Sequence, residues 1–192
     1  MPLNIPIFLT WLRIILIPLM IAVYYVPEAW VPGMGRDLLA TLLFVVAAAT
    51  DWLDGYLARR WQQTSAFGAF LDPVADKLMV AAALILLVWL DRLDAVLATI
   101  IIGREITISA LREWMAQIGA HRSVAVSMVG KVKTTAQMVS IPLLLYYQPL
   151  AGLDVVRLGT WLIYVAAVLT LWSMGYYMRM AWPHLIEQDR RR

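Results

Sequence analysis

Six mostly apolar runs, at 5–26, 37–59, 68–90, 94–116, 132–147 and 155–180, take up most of the 192-residue chain. A helix needs about 20 such residues to cross the hydrocarbon core of a bilayer. In hydrocarbon every backbone polar group must be satisfied within its own segment, so these runs read as helices and not as strands. The chain is 62% hydrophobic and 15% charged, with a mean hydropathy of +0.73. A water-soluble domain of this size has more polar surface to cover. The expectation is an all-α polytopic membrane protein with six transmembrane helices. No Gly/Ser linker, low-complexity stretch or internal repeat divides it, so residues 1–192 form one domain.

The breaks between the runs carry turn or interface residues: "PEAWVPGMGRD", "RWQQTSA", "DRLD", "GAHRSVAVSMVGK" and "QPLAGLD". Pro18, Pro73 and Pro142 fall inside runs, where they mark kinks or helix starts. The first run lacks a basic leader and a small-residue cleavage site and contains Arg13, so it reads as a retained helix. With the N-terminus cytoplasmic, Arg59, Arg60, Arg112, Arg122, Lys131, Lys133, Arg179 and Arg190 to Arg192 gather on that side. Arg36, Arg92 and Arg157 fall on the other. This is the positive-inside pattern. It gives a multi-pass protein of the cell (inner) membrane. The net charge of +3 suits anionic headgroups, and the scattered basic residues give no nucleic-acid face. Without cysteine there is no disulfide and no thiolate metal site.

Into this apolar chain the stretch "DWLDGYLARRWQQTSAFGAFLDPVAD", residues 51–76, brings four aspartates. Asp51 and Asp54 are three residues apart and Asp72 and Asp76 four, so each pair shares a helix face. The pairs lie at similar distances on either side of a loop near Gln62. If the second and third helices pack as a facing pair, all four carboxylates converge just below the cytoplasmic interface. Carboxylates there are functional by default. They repel one another, and protons or cations must neutralise them. Arg59 alone falls short. Two divalent ions would balance four charges, and hard oxygen ligands select Mg²⁺ or Mn²⁺. Paired ions of this kind serve phosphoryl transfer. Gly55, Ala58 and Gly68, on or near the same hairpin, serve either close helix packing or clearance for a bulky ligand.

The pattern Asp51-x2-Asp54-Gly55-x2-Ala58-Arg59-x8-Gly68-x3-Asp72-x3-Asp76 resembles the signature of the CDP-alcohol phosphotransferase family at all eight fixed positions. The resemblance implies an enzyme that moves a phosphatidyl or related group from a CDP-linked donor to an alcohol and releases CMP. It implies that Asp51, Asp54, Asp72 and Asp76 ligate two metal ions, with Asp76 also accepting the alcohol proton. Gly55, Ala58 and Gly68 would line the CDP pocket, and Arg59 would contact the diphosphate. A homodimer is likewise implied.

The acceptor must be read elsewhere. Arg104 and Arg112 lie on one stripe of the fourth helix, and Lys131 and Lys133 at the start of the fifth. Each is either structural, by snorkelling or by an ion pair, or part of a cationic pocket for an acceptor phosphate. Glu105 points about 100° away from Arg104, so it is not an obvious partner. "NIP...LTWLRIILIP", "REITISALREWMA" and "GKVKTTAQM" resemble the branch of the family that joins CDP-diacylglycerol to sn-glycerol 3-phosphate. That resemblance implies an anionic acceptor and assigns its phosphate to Arg104, Arg112, Lys131 and Lys133. Phosphatidylglycerol or an inositol-type acceptor would be the alternative within the family, and a cation transporter the alternative outside it. Asn4, Thr10 and Arg13 either face the nucleotide or cap and anchor the first helix. His121 reads as a solvated loop residue.

Overall fold

The computed structural model describes residues 5–61, 66–118, 128–150 and 152–190. Asn4, His121 and Arg122 lie outside them, as do the side chains of Ala58 and Arg59. Each apolar run becomes an α-helix: α1 Ile5–Ala22, α2 Gly33–Trp61, α3 Ala66–Trp89, α4 Ala95–Gln117, α5 Met128–Tyr146 and α6 Val155–Arg190. A 3₁₀ turn, Val23–Tyr25, extends α1, and no β-strand occurs among the described residues. The all-α expectation holds.

Among the described residues, three helices contain stretches long and apolar enough to cross a membrane: Phe8–Tyr25, Gly33–Leu57 and Val155–Pro183. The other three carry further charged residues along their length. Asp72, Asp76 and Lys77 sit in α3; Arg104, Glu105, Arg112 and Glu113 in α4; Lys131, Lys133 and Gln137 in α5. The outer surface is apolar, with Trp161, Trp172, Trp182, Val168 and Ile85 exposed. Polar groups such as Thr10, Arg13, Asp54, Lys133 and Gln137 are buried. Water would penalise so large an exposed apolar surface, whereas lipid accepts it.

Local chemistry sets the helix ends. Asp94 caps α4, its Oδ1 accepting from the backbone N–H of Val96 at 2.8 Å and of Leu97 at 3.4 Å. Asp154 does the same for α6 through the N–H of Arg157 at 2.9 Å. Asp91 and Tyr147 adopt positive φ, 57° and 53°, just past the ends of α3 and α5, the left-handed geometry that closes a helix. Pro73 lies inside α3, which begins earlier, at Ala66, so Asp72 is helical despite preceding a proline. At the other end of the chain, α6 remains helical through Arg190.

The core joins all six helices. Leu16 and Met20 of α1, Phe44 of α2, Leu84 and Leu87 of α3, Ile101 of α4, Ile141 and Leu145 of α5 and Ile163 of α6 form one buried cluster. α5 lies along α6 and α1 along α2, while α1 also packs on α3. At Gly159 an added Cβ would come within 3.1 Å of Leu143 and Leu144, so the missing side chain lets α6 approach α5. By contrast α2 and α3 touch each other sparsely. The expected facing pair is therefore corrected: α1 packs against both, because similar depth in a bilayer does not determine which helices are lateral neighbours.

At the end of the bundle opposite the aspartates, Arg92 ties several elements together. Its Nη2 donates to both carboxylate oxygens of Asp37 at 2.8 Å, and its Nη1 to the carbonyl of Leu145 at 2.7 Å. Its guanidinium lies 4.3 Å from the centre of the Tyr147 ring. Arg92→Met would leave the buried Asp37 with only the Tyr24 hydroxyl at 2.9 Å as a side-chain donor. Removing one partner of a buried pair costs about 3–5 kcal/mol. The expected outcome is a lower unfolding midpoint in detergent with unchanged substrate KM values, since no aspartate of the signature touches this clamp.

Candidate active site

Residues far apart in sequence meet around a single guanidinium. Arg13 on α1 is fully buried. Its Nη2 donates to Asp54 at 2.5 Å and lies 3.2 Å from Asp51, both on α2. Its Nη1 donates to Asp76 on α3 at 2.5 Å. One turn earlier on α1, the Thr10 hydroxyl donates to Asp72 Oδ1 at 2.6 Å. All four signature aspartates are thus engaged by two residues of α1. Asp54 is buried, whereas the side chains of Asp51 and Asp76 are 41% and 44% exposed. The cluster has a sealed side and an open one.

Four carboxylates and one guanidinium leave a formal charge of −3, which low-dielectric surroundings do not tolerate alone. The donor chemistry suits hard divalent cations, since every available ligand is a carboxylate or hydroxyl oxygen. As they stand, no three acidic side chains among the described residues surround a common point. Arg13 stands between them and holds α2 and α3 within reach of one another. The donor set therefore fits a metal site whose carboxylates are organised by an internal cation.

Beside the open edge lies a cavity of about 220 Å³ lined by Asp51, Asp76, Lys77, Met79, Val80, Glu105, Lys133, Thr134, Gln137 and Met138. It brings together the exposed aspartates and one of the expected acceptor cations, Lys133. The amine of Lys133 bonds the carboxylate of Glu105. Glu105 also pairs with Arg104, whose Nη1 is 3.3 Å from Oε1. That pairing corrects the expectation that Glu105 faces away: backbone directions differ by about 100°, but two long side chains can bend toward each other. Arg104 further donates to Ser173 Oγ at 2.9 Å and lies 5.9 Å from the Tyr177 ring centre on α6. Arg112 stands 5.7 Å from the same ring.

Lys131 is placed differently. It lines a separate groove with Val132, Thr135, Ala136, Val139 and Leu162. Two residues along a helix turn by about 200°, so Lys131 and Lys133 occupy opposite sides of α5. Gly68 is buried near the start of α3, and Gly55 is half-buried on α2 beside Asp54. Glu105, Gln137, Thr134 and Lys77 were absent from the expected site. Gln137 was the readable one, since it follows Lys133 by one helical turn on the same face.

The profile of the CDP-alcohol phosphatidyltransferase family matches residues 3–172, and the chain belongs to this family. It is also similar over nearly its whole length to proteins named CDP-diacylglycerol–glycerol-3-phosphate 3-phosphatidyltransferase. The relative from Yersinia enterocolitica is 53% identical over 192 residues, covering 97% of this chain and 100% of the relative. That from Salmonella choleraesuis is 52% identical over 193 residues, covering 98% and 100%. That from Sodalis glossinidius is 53% identical over 193 residues, covering 97% and 100%.

Proposed function

We propose that this chain is a phospholipid-biosynthetic transferase that moves the phosphatidyl group of CDP-diacylglycerol to sn-glycerol 3-phosphate, giving phosphatidylglycerophosphate and CMP. The observation that carries the reading is the cavity in which Asp51 and Asp76 face Lys133. The near full-length identity to enzymes of that name supports it. In this reading all six helices cross the inner membrane and the site opens to the cytoplasm, where the basic residues gather.

The acceptor's primary hydroxyl attacks the phosphorus that bears the diacylglycerol, and the bond from that phosphorus to the CMP oxygen breaks. Asp76, at the cavity wall, takes the hydroxyl proton. Asp51, Asp54, Asp72 and Asp76 would hold two divalent ions, Mg²⁺ or Mn²⁺, which would supply neutralisation of the diphosphate and of the departing CMP. Lys133 receives the acceptor phosphate, with Arg104 behind it through Glu105 and Arg112 nearby at Tyr177. Lys131, on the far side of α5, meets headgroups instead. Gly55, Ala58 and Gly68 leave room for the cytidine nucleotide, and Arg59 contacts its diphosphate.

Purified protein given CDP-diacylglycerol, glycerol 3-phosphate and Mg²⁺ is expected to release CMP and form phosphatidylglycerophosphate. Exhaustive chelation should abolish turnover and added Mg²⁺ restore it. CMP release with phosphatidylglycerol or inositol, and none with glycerol 3-phosphate, would reassign the acceptor. Full-speed turnover under chelation would remove the ions from the reaction.

A further inference from the structure

Gln137 is 4% exposed on α5, lines the same cavity as Asp76 and Lys133, and its Oε1 has no hydrogen-bond partner among the described residues. Buried side-chain polar atoms in native proteins are nearly always bonded. The Gln137 side chain lines the cavity, and a turn of its amide would bring this buried, unmet acceptor to a donor on a bound substrate. Its neighbours narrow the donor's chemistry. Lys133, one turn away on the same helix face, supplies a cation for a phosphate, and Asp76 on α3, in the same lining, supplies a carboxylate for the reacting hydroxyl. The remaining polar group of a three-carbon phosphate acceptor is its secondary hydroxyl, which can donate to an amide oxygen. Met79, Val80 and Met138 give the cavity its apolar wall, and Asp51, Lys77, Glu105 and Thr134 complete the lining.

We infer that Gln137 is a specificity residue whose amide oxygen accepts a hydrogen bond from the acceptor's secondary hydroxyl. The inference rests on the acceptor proposed above. It makes the cavity a three-point reader: a cation for the phosphate, a carboxylate for the attacking hydroxyl and an amide for the hydroxyl between them. A polyol phosphate is then distinguished from an alcohol phosphate that lacks the middle hydroxyl. A site built around a substrate hydroxyl rejects the analogue without it, because its own polar atom stays unpaired.

The test compares wild type and Gln137→Leu with two acceptors, glycerol 3-phosphate and 3-hydroxypropyl phosphate. The second has the same phosphate and primary hydroxyl but no secondary hydroxyl. Wild type is expected to favour glycerol 3-phosphate in kcat/KM by about 10- to 100-fold, and Gln137→Leu to reduce that preference to within about threefold, with an unchanged KM for CDP-diacylglycerol. A wild type indifferent to the hydroxyl, or a variant that keeps the wild-type preference, overturns the inference. If Gln137→Leu does not fold, Gln137→Met makes the same comparison; failure of both to fold would assign the residue to packing and overturn it as well. A wild type that releases CMP with phosphatidylglycerol but not with glycerol 3-phosphate is a distinct outcome, which defeats the acceptor reading and this inference together.

Discussion

Asp76→Asn is expected to lower kcat by about 10³-fold while the protein remains folded and still binds CDP-diacylglycerol. Asparagine keeps the shape of the side chain and an oxygen toward Arg13, but it cannot take a proton from the acceptor hydroxyl. Asp76 is suited to that role by position: it is half-exposed, lines the cavity shared with Lys133, and is anchored from behind by Arg13 Nη1 at 2.5 Å. Asp54, bonded to the same guanidinium but buried, has no such access. The check is steady-state kinetics beside a binding measurement for the CDP-lipid. Turnover within a few-fold of wild type would remove Asp76 as the base. Lost lipid binding would make its main role ligation.

Arg13→Met should have the largest effect on stability, and that effect should depend on divalent ions. With Arg13 in place, three carboxylates share one buried guanidinium. Without it, in chelator, they repel one another with nothing between them. Loss of one partner from a buried ionic cluster costs about 3–5 kcal/mol. Ions that bind only the folded state stabilise it by mass action, so under the proposed metal site Mg²⁺ should recover part of the loss. Unfolding of wild type and variant in detergent, each with EDTA and with Mg²⁺, reads this directly. A variant as stable as wild type in EDTA would mean that Arg13 is not what holds the aspartates together. Equal destabilisation in both buffers would separate the cluster from metal binding.

The helices and the aspartates were legible in the sequence because both depend on local spacing. Apolar length sets a membrane helix, and intervals of three and four residues put carboxylates on one face. The bridge at the centre was not. Arg13 lies 41 residues from Asp54 and 63 from Asp76, and no periodicity connects positions so far apart. From the first run alone Arg13 reads only as facing the nucleotide or anchoring the helix. Loop length suggested that α2 and α3 pack face to face, but it cannot show that α1 lies against both. Lys131 and Lys133 were grouped by closeness in sequence, although two steps along a helix already separate them to opposite sides. Gln137 could be placed on the Lys133 face by its spacing, but only the structure shows that its amide oxygen lacks a donor.

The placement of Arg13 also bears on how the protein is made. The ribosome delivers α1 first, with an arginine that is costly to bury in hydrocarbon on an isolated helix. Its partners arrive only when the segments carrying Asp51, Asp54 and Asp76 have been synthesised. Those later segments bring their own unfavourable charges of opposite sign. Each half of the polar cluster is thus awkward for the translocation machinery by itself, and the two become acceptable to lipid by meeting. Biogenesis and catalysis are in this way tied to one side chain: the cation that lets the nascent helices settle is the one that leaves the acidic site assembled for its substrates.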